Sequence, residues 1–401
     1  MLVEQHRLRG KQKEEADAIC FASKNLYNLA LYNIRQFFFE NHLYLTYLQL
    51  DKMLQQTEAY KSLPAKVSQQ VLQQVDRGFR SFFQALEIWE RDPSSFRGKP
   101  KIPKYLDKQY GRNMVIYTTQ AISKIILNKN SKIHPSKTNI FVTTKIEHNK
   151  ICMVRLIPKN TGEITLEVIY NKEPLDLRLN SKNKLAIDLG VNNLCAITSD
   201  NPGFQPILVK GGTSKAINQW YNKEKAEKQS KLAEGRYASK SIHRLTEKRN
   251  LKMKHMFHCV SKFIIEICKE NNIGTIVIGQ NKEWKQSINI GKRNNQNFVS
   301  IPYNTLINMI EYKAYQIGIN VIKINESYTS KCSAIDLEPI HKHEKYMGKR
   351  IKRGLFQSAN GIELNADVNG SMNILRKAFP EAFVEGIEAV VVQPLPVKFT
   401  A

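Results

Sequence analysis

Apolar residues recur at three- and four-residue steps through the first part of the chain. Ile19, Ala22, Leu26, Leu29 and Ala30 form one row, and after a break at Pro64 the positions Val67, Val71, Leu72, Val75, Phe79, Phe82, Phe83 and Leu86 form a broader one. That period puts the apolar side chains on one helix face, so residues 14 to 90 are expected to be helical with their stripes in a core. The tract from Asp92 to Lys104 ends the pattern with prolines and a glycine, and its Arg97, Lys99, Lys101 and Lys104 suit contact with a phosphate backbone. From about 112 to 180 the runs become short and strand-like: Met114 to Tyr117, Ile125 to Leu127, Ile140 to Val142, Ile151 to Ile157 and Ile164 to Tyr170. The last two flank a hairpin loop, and strands at this spacing predict a small β-barrel.

A third pattern begins at Lys182. It reads as strand, hairpin, long basic helix, strand, helix, strand, an irregular basic segment and a final helix. Strands Thr275 to Ile278 and Asn320 to Asn325 flank a helix from about Tyr303 to Ile317. This order predicts an α/β layer around a central sheet, so the whole chain is expected to be a multidomain α+β protein. A length of 401 residues fits two or three domains, and no internal repeat is evident.

Charge narrows the function. The chain carries 61 Lys and Arg against 36 Asp and Glu, a formal net charge of +25, which predicts a polyanionic partner. Thirteen basic residues fall between Lys210 and Lys254, and six more between His341 and Arg353: Lys342, Lys345, Lys349, Arg350, Lys352 and Arg353. No apolar window is long enough for a membrane span, so no membrane partner is expected. The start has no apolar leader, and six cysteines lie scattered without a Cys-x-x-Cys pair, which suits reduced thiols in a cytoplasmic, nucleoid-associated protein.

The chemistry is expected where carboxylates end buried elements. Asp188 closes the apolar run Lys184-Leu185-Ala186-Ile187-Asp188-Leu189-Gly190-Val191, followed at once by Asn192-Asn193 and a second β-rich stretch. Asp367 stands in the first turn of a helix whose Ala366, Gly370 and Ser371 allow close approach to a sheet. Alone, Asp367 is as well explained as a helix-capping acid; with Asp188 it suggests a metal site. Hydrolysis of a phosphodiester is helped by two divalent cations held on hard oxygen ligands, and such a site needs several acids from different elements.

These segments resemble a known family. The run from Lys184 to Asn193, the segment Tyr328-Thr329-Ser330-Lys331 and the helix start Asn365-Ala366-Asp367-Val368-Asn369 are similar to the three nuclease motifs of TnpB. TnpB proteins accompany insertion sequences and are relatives of Fanzors and type V CRISPR effectors. The stretches Leu63 to Asp76, Arg97 to Pro103 and Tyr117 to Ser123 are also similar to the family, so the likeness runs over nearly the whole chain. The resemblance implies an RNA-guided endonuclease with a transposon-encoded guide RNA and Mg²⁺ (or Mn²⁺) as two bound ions. It would cut complementary double-stranded DNA beside a short recognition motif. It also implies a wedge β-barrel domain (1–12 and 92–181), a helical recognition domain (13–91) and a RuvC-like, RNase H-type nuclease domain (182–378). A tail (379–401) would follow. Alternatives are a guided DNA binder without cleavage and an RNase H-type transposase.

The chain departs from the family at two places. The usual second acid falls at Gly279, which has no side chain. Among Glu283, Glu311 and Glu326, the preferred replacement is Glu326 at the end of a strand, giving the set Asp188, Glu326 and Asp367; Glu283 is the alternative. The second departure is a missing zinc ribbon. Only Cys332, His341 and His343 lie in the segment 327–362, so no zinc is expected there and Lys349, Arg350, Lys352 and Arg353 are expected to contact nucleic acid. Trp284, Tyr303 and Tyr328 could stack on bases or lie in the core.

Overall fold

The computed structural model describes residues 1–280, 300–384 and 393–400. The chain divides into two compact units, residues 1–172 and 173–401.

In the first unit the apolar stripes form helices as their period requires. After strand β1 (Leu2–Arg7) come α1 (Gly10–Asn41), α2 (Tyr47–Leu54), α3 (Glu58–Lys61) and α4 (Ala65–Arg91). Val67, Val71, Leu72, Val75 and Phe79 of α4 are buried at the expected three- and four-residue spacing. The strand-like region then gives β2 (Val115–Thr118), α5 (Lys124–Asn130), β3 (Lys132–Ile133), β4 (Val142–Thr143), β5 (Ile151–Pro158) and β6 (Ile164–Tyr170).

Two expectations are corrected here. Ile125 to Leu127 lies inside α5, where the Ser123 hydroxyl accepts from the backbone N–H of Ile126 and starts a helix. The sheet, ordered β1-β6-β5-β2, is antiparallel and open rather than a closed barrel, because its edge strands β1 and β2 do not pair with each other. Helices and sheet share one core, in which Val71 and Phe79 cluster with Val115, Val154 and Leu166.

The chain just past the basic tract is pinned, and the tract's own charges face outward. Asn28 exchanges two hydrogen bonds with Leu106, at 2.8 and 2.9 Å, and Arg112 makes a two-pronged contact with Asp17 at 2.9 and 2.7 Å. Arg97, Lys99, Lys101 and Lys104 are all exposed.

The second unit is built on a six-stranded mixed sheet. Its elements are β7 (Asn180–Leu189), β8 (Asn193–Ser199), β9 (Ile207–Lys210), α6 (Gly212–Ser230), α7 (Lys240–Glu270), β10 (Ile273–Gly279), α8 (Tyr303–Tyr315) and β11 (Asn320–Ile324). A small sheet follows, β12 (Lys349–Lys352), β13 (Leu355–Gln357) and β14 (Glu363–Asn365), then α9 (Ala366–Ala378) and β15 (Leu395–Val397). The large sheet runs β11-β10-β7-β8-β9-β15. Strands β7, β8 and β9 are an antiparallel meander, while β10 and β11 continue from β7 in parallel.

The expected single long basic helix is two helices, α6 and α7. Helix α6 stops at Ser230, and in the turn that follows Gly235 adopts φ +75, a left-handed conformation that glycine takes at little cost. Helices α7 and α8 cover one face of the sheet through Phe257, Val260, Ile264, Leu306 and Ile310, and α9 lies across the other through Met372, Ile374 and Leu375. Among the described residues no helix is long and apolar enough to cross a membrane.

Candidate functional site

Alternation along β7 decides where its acid goes. Leu185, Ile187 and Leu189 join the core under α7 and α8, whereas Ala186 packs with Val277, Ile374 and Leu375 on the opposite face. Asp188 has the parity of Ala186 and so belongs to the face that α9 covers. By the same rule Gly279 shares that face with Val277 on β10. Register then brings the positions level: Ile187 stands opposite Ile278, and Gly279 opposite Ile324. Asp188, Gly279 and Glu326 thus sit at or just beyond the carboxyl ends of three adjacent parallel strands, the edge where open α/β sheets place their ligands.

Helix α9 crosses this edge closely because its residues there are small. Its start is capped by Asn365, whose Oδ1 accepts from the backbone N–H groups of Asp367 (2.9 Å) and Val368 (3.3 Å). Gly370 lies over Asp188, and a Cβ at 370 would be 2.8 Å from Asp188 Oδ2. Ser371 donates to the carbonyl of Ala186 at 3.1 Å and meets the Thr198 hydroxyl at 2.9 Å. One turn beyond Gly370, Ile374 lies over Gly279.

The space beside Gly279 is taken by the glutamate two residues past β11. A Cβ at 279 would lie 2.9 Å from Glu326 Oε2 and 2.5 Å from Ile374 Cδ1. The Glu326 carboxylate therefore occupies the volume that a side chain at 279 would need. Glu311 does something else, pairing with Lys323 at 2.7 Å. Glu283 and Trp284 lie outside the described residues.

Electrostatics ties the acids together. Burial, then the like charges of Glu326 and Asp367, hold the Asp188 carboxyl well above the usual carboxylate range, against the opposing influence of Arg350 and the Leu189 N–H. Burial pushes Glu326 up to about 7. Asp367 has its two oxygens divided: Oδ2 accepts from Asn193 Nδ2 at 2.7 Å, and Oδ1 faces Arg350 Nη2 at 3.8 Å.

Among the described residues no group of three or more His, Cys, Asp and Glu side chains is drawn together tightly enough to hold a metal ion. The three acids share one sheet edge and one field without forming a finished ligand shell. Their chemistry nevertheless fits a hard divalent cation. Every donor is a carboxylate oxygen, and the repulsion that raises Asp188 is a deficit of positive charge that a cation would offset.

The segment after Glu326 is fastened to α9 by two buried asparagines one turn apart. Asn369 accepts from the Ala334 N–H and donates to the Cys332 carbonyl, both at 2.9 Å, and Asn373 donates to the carbonyls of Thr329 (3.0 Å) and Cys332 (2.7 Å). Glu338, itself buried, ties two loops by accepting from the N–H groups of Ser333 (2.7 Å) and Met347 (2.9 Å). Cys332 is buried, and His343 Nε2 lies 2.7 Å from the carbonyl of Pro339. Lys349, Arg350, Lys352 and Arg353 are exposed on β12 and its turn, and Arg350 reaches Asp367. Tyr303 is fully buried with its hydroxyl donating to the Gly190 carbonyl at 2.9 Å, so it is a core residue and no stacking platform; Tyr328 is exposed.

Several contributors carried no assigned role in the sequence. Asn193 stood in the quoted motif, and Asn369 and Asn373 had the i,i+4 spacing of a single helix face. Lys210 and Lys215 were hidden within a larger basic cluster, yet they donate to the side-chain carbonyls of Asn193 (3.1 Å) and Asn192 (2.9 Å).

Residues 167–285 match the family OrfB_IS605, described as a probable transposase, and residues 303–374 match the Cas12f1-like TNB domain. A TnpB-like protein, ORF457, of Acidianus two-tailed virus is 28% identical over 235 residues, covering 55% of this chain and 48% of the relative. The CRISPR-associated endodeoxyribonuclease Cas12f1 of Sulfoacidibacillus thermotolerans is 28% identical over 240 residues, 56% of this chain and 52% of the relative. The chain thus spans about half the length of the curated relatives it matches. Among solved structures, a Cas12f1 in complex with sgRNA and target DNA superimposes with a TM-score of 0.58 at 16% identity, over 90% of this chain and 82% of the other, a likeness of fold.

Proposed function

For a chain that belongs to the TnpB family, we propose RNA-guided cleavage of double-stranded DNA, with Asp188, Glu326 and Asp367 as the carboxylates that hold divalent cations. The observation that carries this is the carboxylate of Glu326 standing 2.9 Å from the missing Cβ of Gly279. An acid needed between Asp188 and Asp367 has moved to the neighbouring strand while its charge stays beside the old position. The meander of β7 to β9, extended by parallel β10 and β11 with acids at one edge, supports an RNase H-type nuclease.

Mg²⁺ or Mn²⁺, when bound, would activate water and stabilise the leaving oxygen. The chain's own residues do the rest. Asp188 is fixed by a buried strand, Glu326 is lodged between β10 and α9, and Asp367 is held by its helix cap and by Asn193. Arg350 and its exposed neighbours Lys349, Lys352 and Arg353 supply positive charge beside the carboxylates for substrate phosphates. Arg97, Lys99, Lys101 and Lys104 offer a second basic strip for the guide RNA or the heteroduplex. Sequence would be read by the guide, and the protein would read a short motif beside the target.

A guided binder without cleavage is the second reading, favoured by Arg350 beside Asp367 and by the absence of a gathered ligand shell among the described residues. The test is to incubate purified ribonucleoprotein with matched duplex and Mg²⁺. Cleavage that RNase pretreatment abolishes supports the nuclease; stable retention of uncut DNA supports the binder. Strand transfer that survives RNase would instead support a transposase.

A further inference from the structure

We infer that Asn193 is a positioning residue for the carboxylate site: anchored by Lys210, it locks one oxygen of Asp367 so that the other is the one offered to a divalent cation. This rests on the metal-binding role proposed above for Asp188, Glu326 and Asp367.

An asparagine amide can present either its oxygen or its nitrogen, and its neighbours decide which. Lysine only donates, so Lys210 Nζ at 3.1 Å demands the Asn193 oxygen and turns the amide nitrogen toward Asp367 Oδ2 at 2.7 Å. The relay is rigidly placed. Asn193 is buried, opens β8 and pairs with Lys210 at the end of β9, and the register shifts between Asn193 and Cys195, an irregularity that re-aims the side chain. The hairpin carrying it lies hard against the next junction: the Gly211 N–H donates to the Asn192 carbonyl at 2.8 Å, and a Cβ at 211 would clash with the Val191 carbonyl.

With Oδ2 held by the Asn193 amide, Oδ1 is the oxygen that faces the guanidinium of Arg350. The same guanidinium opposes the repulsion on Asp188, so a positive group beside Oδ1 is felt by both aspartates. A metal entering there would find a carboxylate already committed to one-oxygen ligation. Outer partners of this type commonly change metal affinity by about 10- to 100-fold.

The experiment is a Mn²⁺ titration of the full chain followed by electron paramagnetic resonance, with Asp188→Asn as the blank for the carboxylate site. Wild type is expected to bind Mn²⁺ that the blank does not. Asn193→Ala is expected to weaken that binding about 10-fold. Lys210→Met should shift it in the same direction by less, because the amide then loses its enforced orientation but not its donor. In cleavage assays both variants should need more Mg²⁺ for half-maximal rate at unchanged target affinity. Wild-type Mn²⁺ affinity in both variants overturns the inference and leaves the carboxylate site standing. Equal binding by wild type and the Asp188→Asn blank overturns the site itself, and the inference with it. If Asn193→Ala does not fold, Lys210→Met decides alone.

Discussion

Substitution of Gly279 tests the relocated glutamate through packing alone. A Cβ at 279 would stand 2.5 Å from Ile374 Cδ1 and 2.9 Å from Glu326 Oε2, both closer than real Cβ contacts allow. Ile374 is fully buried among Ala186, Val277 and Leu375, so it has little room to retreat, whereas Glu326 is only half-buried. Overpacking of this kind costs about 1–3 kcal/mol. Gly279→Ala is therefore expected to lower unfolding free energy by about that amount and to slow cleavage by displacing the carboxylate. The two causes separate in a double-mutant cycle with Glu326→Ala, read by urea denaturation. Once the glutamate is truncated, one of the two close contacts of an alanine at 279 is gone and that with Ile374 remains, so the penalty of Gly279→Ala should be smaller in the Glu326→Ala background, with a coupling of about 0.5 kcal/mol or more. Additive effects within about 0.3 kcal/mol would mean that Glu326 does not fill the space beside Gly279, and the reasoning would fail.

Three further outcomes follow from the same geometry. Because burial raises the folded pKa of Glu326 from 4.5 to about 7, the folded chain keeps a proton that the unfolded chain releases; this group's contribution to stability is present below about 4.5 and is lost as pH rises through about 7, so the metal-free thermal midpoint should fall over that window, and Glu326→Gln should flatten the slope. Asn369→Ala leaves the Ala334 N–H and one bond to the Cys332 carbonyl unmet in a buried place, and should cost about 1–3 kcal/mol by denaturant titration. Replacing Arg97, Lys99, Lys101 and Lys104 together by alanine should reduce the slope of log affinity for guide RNA against log salt by about 3, without changing the unfolding midpoint by more than a degree or two; an unchanged slope would remove this strip from the RNA interface.

The site was legible where one local rule fixed the outcome. Strand alternation placed Asp188 on the face of Ala186, and the small residues Ala366, Gly370 and Ser371 marked a helix able to lie close to it. Gly279 was readable as a missing acid only through the family resemblance, and only the register of β10 with β11 brings Glu326 beside it. What stayed hidden depended on distant pairing. The open sheet of the first unit needs β1, whose partner β6 lies more than 150 residues away and whose inward residues are only half-buried. A three-residue run such as Ile125 to Leu127 has no period of its own, so the Ser123 cap decided it as a helix. The break between α6 and α7 falls in a run of good helix formers whose one glycine, the left-handed Gly235, lies beyond the end of α6. Asn193 gave no signal of its own, because its role depends on which atom Lys210 demands.

The central claim is that the acid lost at 279 acts from 326. Purified guide-loaded Glu326→Ala protein, incubated with matched duplex DNA and Mg²⁺, measures it most directly when cleavage and target binding are followed side by side. The account predicts cleavage at least about 100-fold slower, in line with loss of a preorganised charge at a reacting centre, with guide and target affinity within about twofold of wild type. Cutting at the wild-type rate would contradict it.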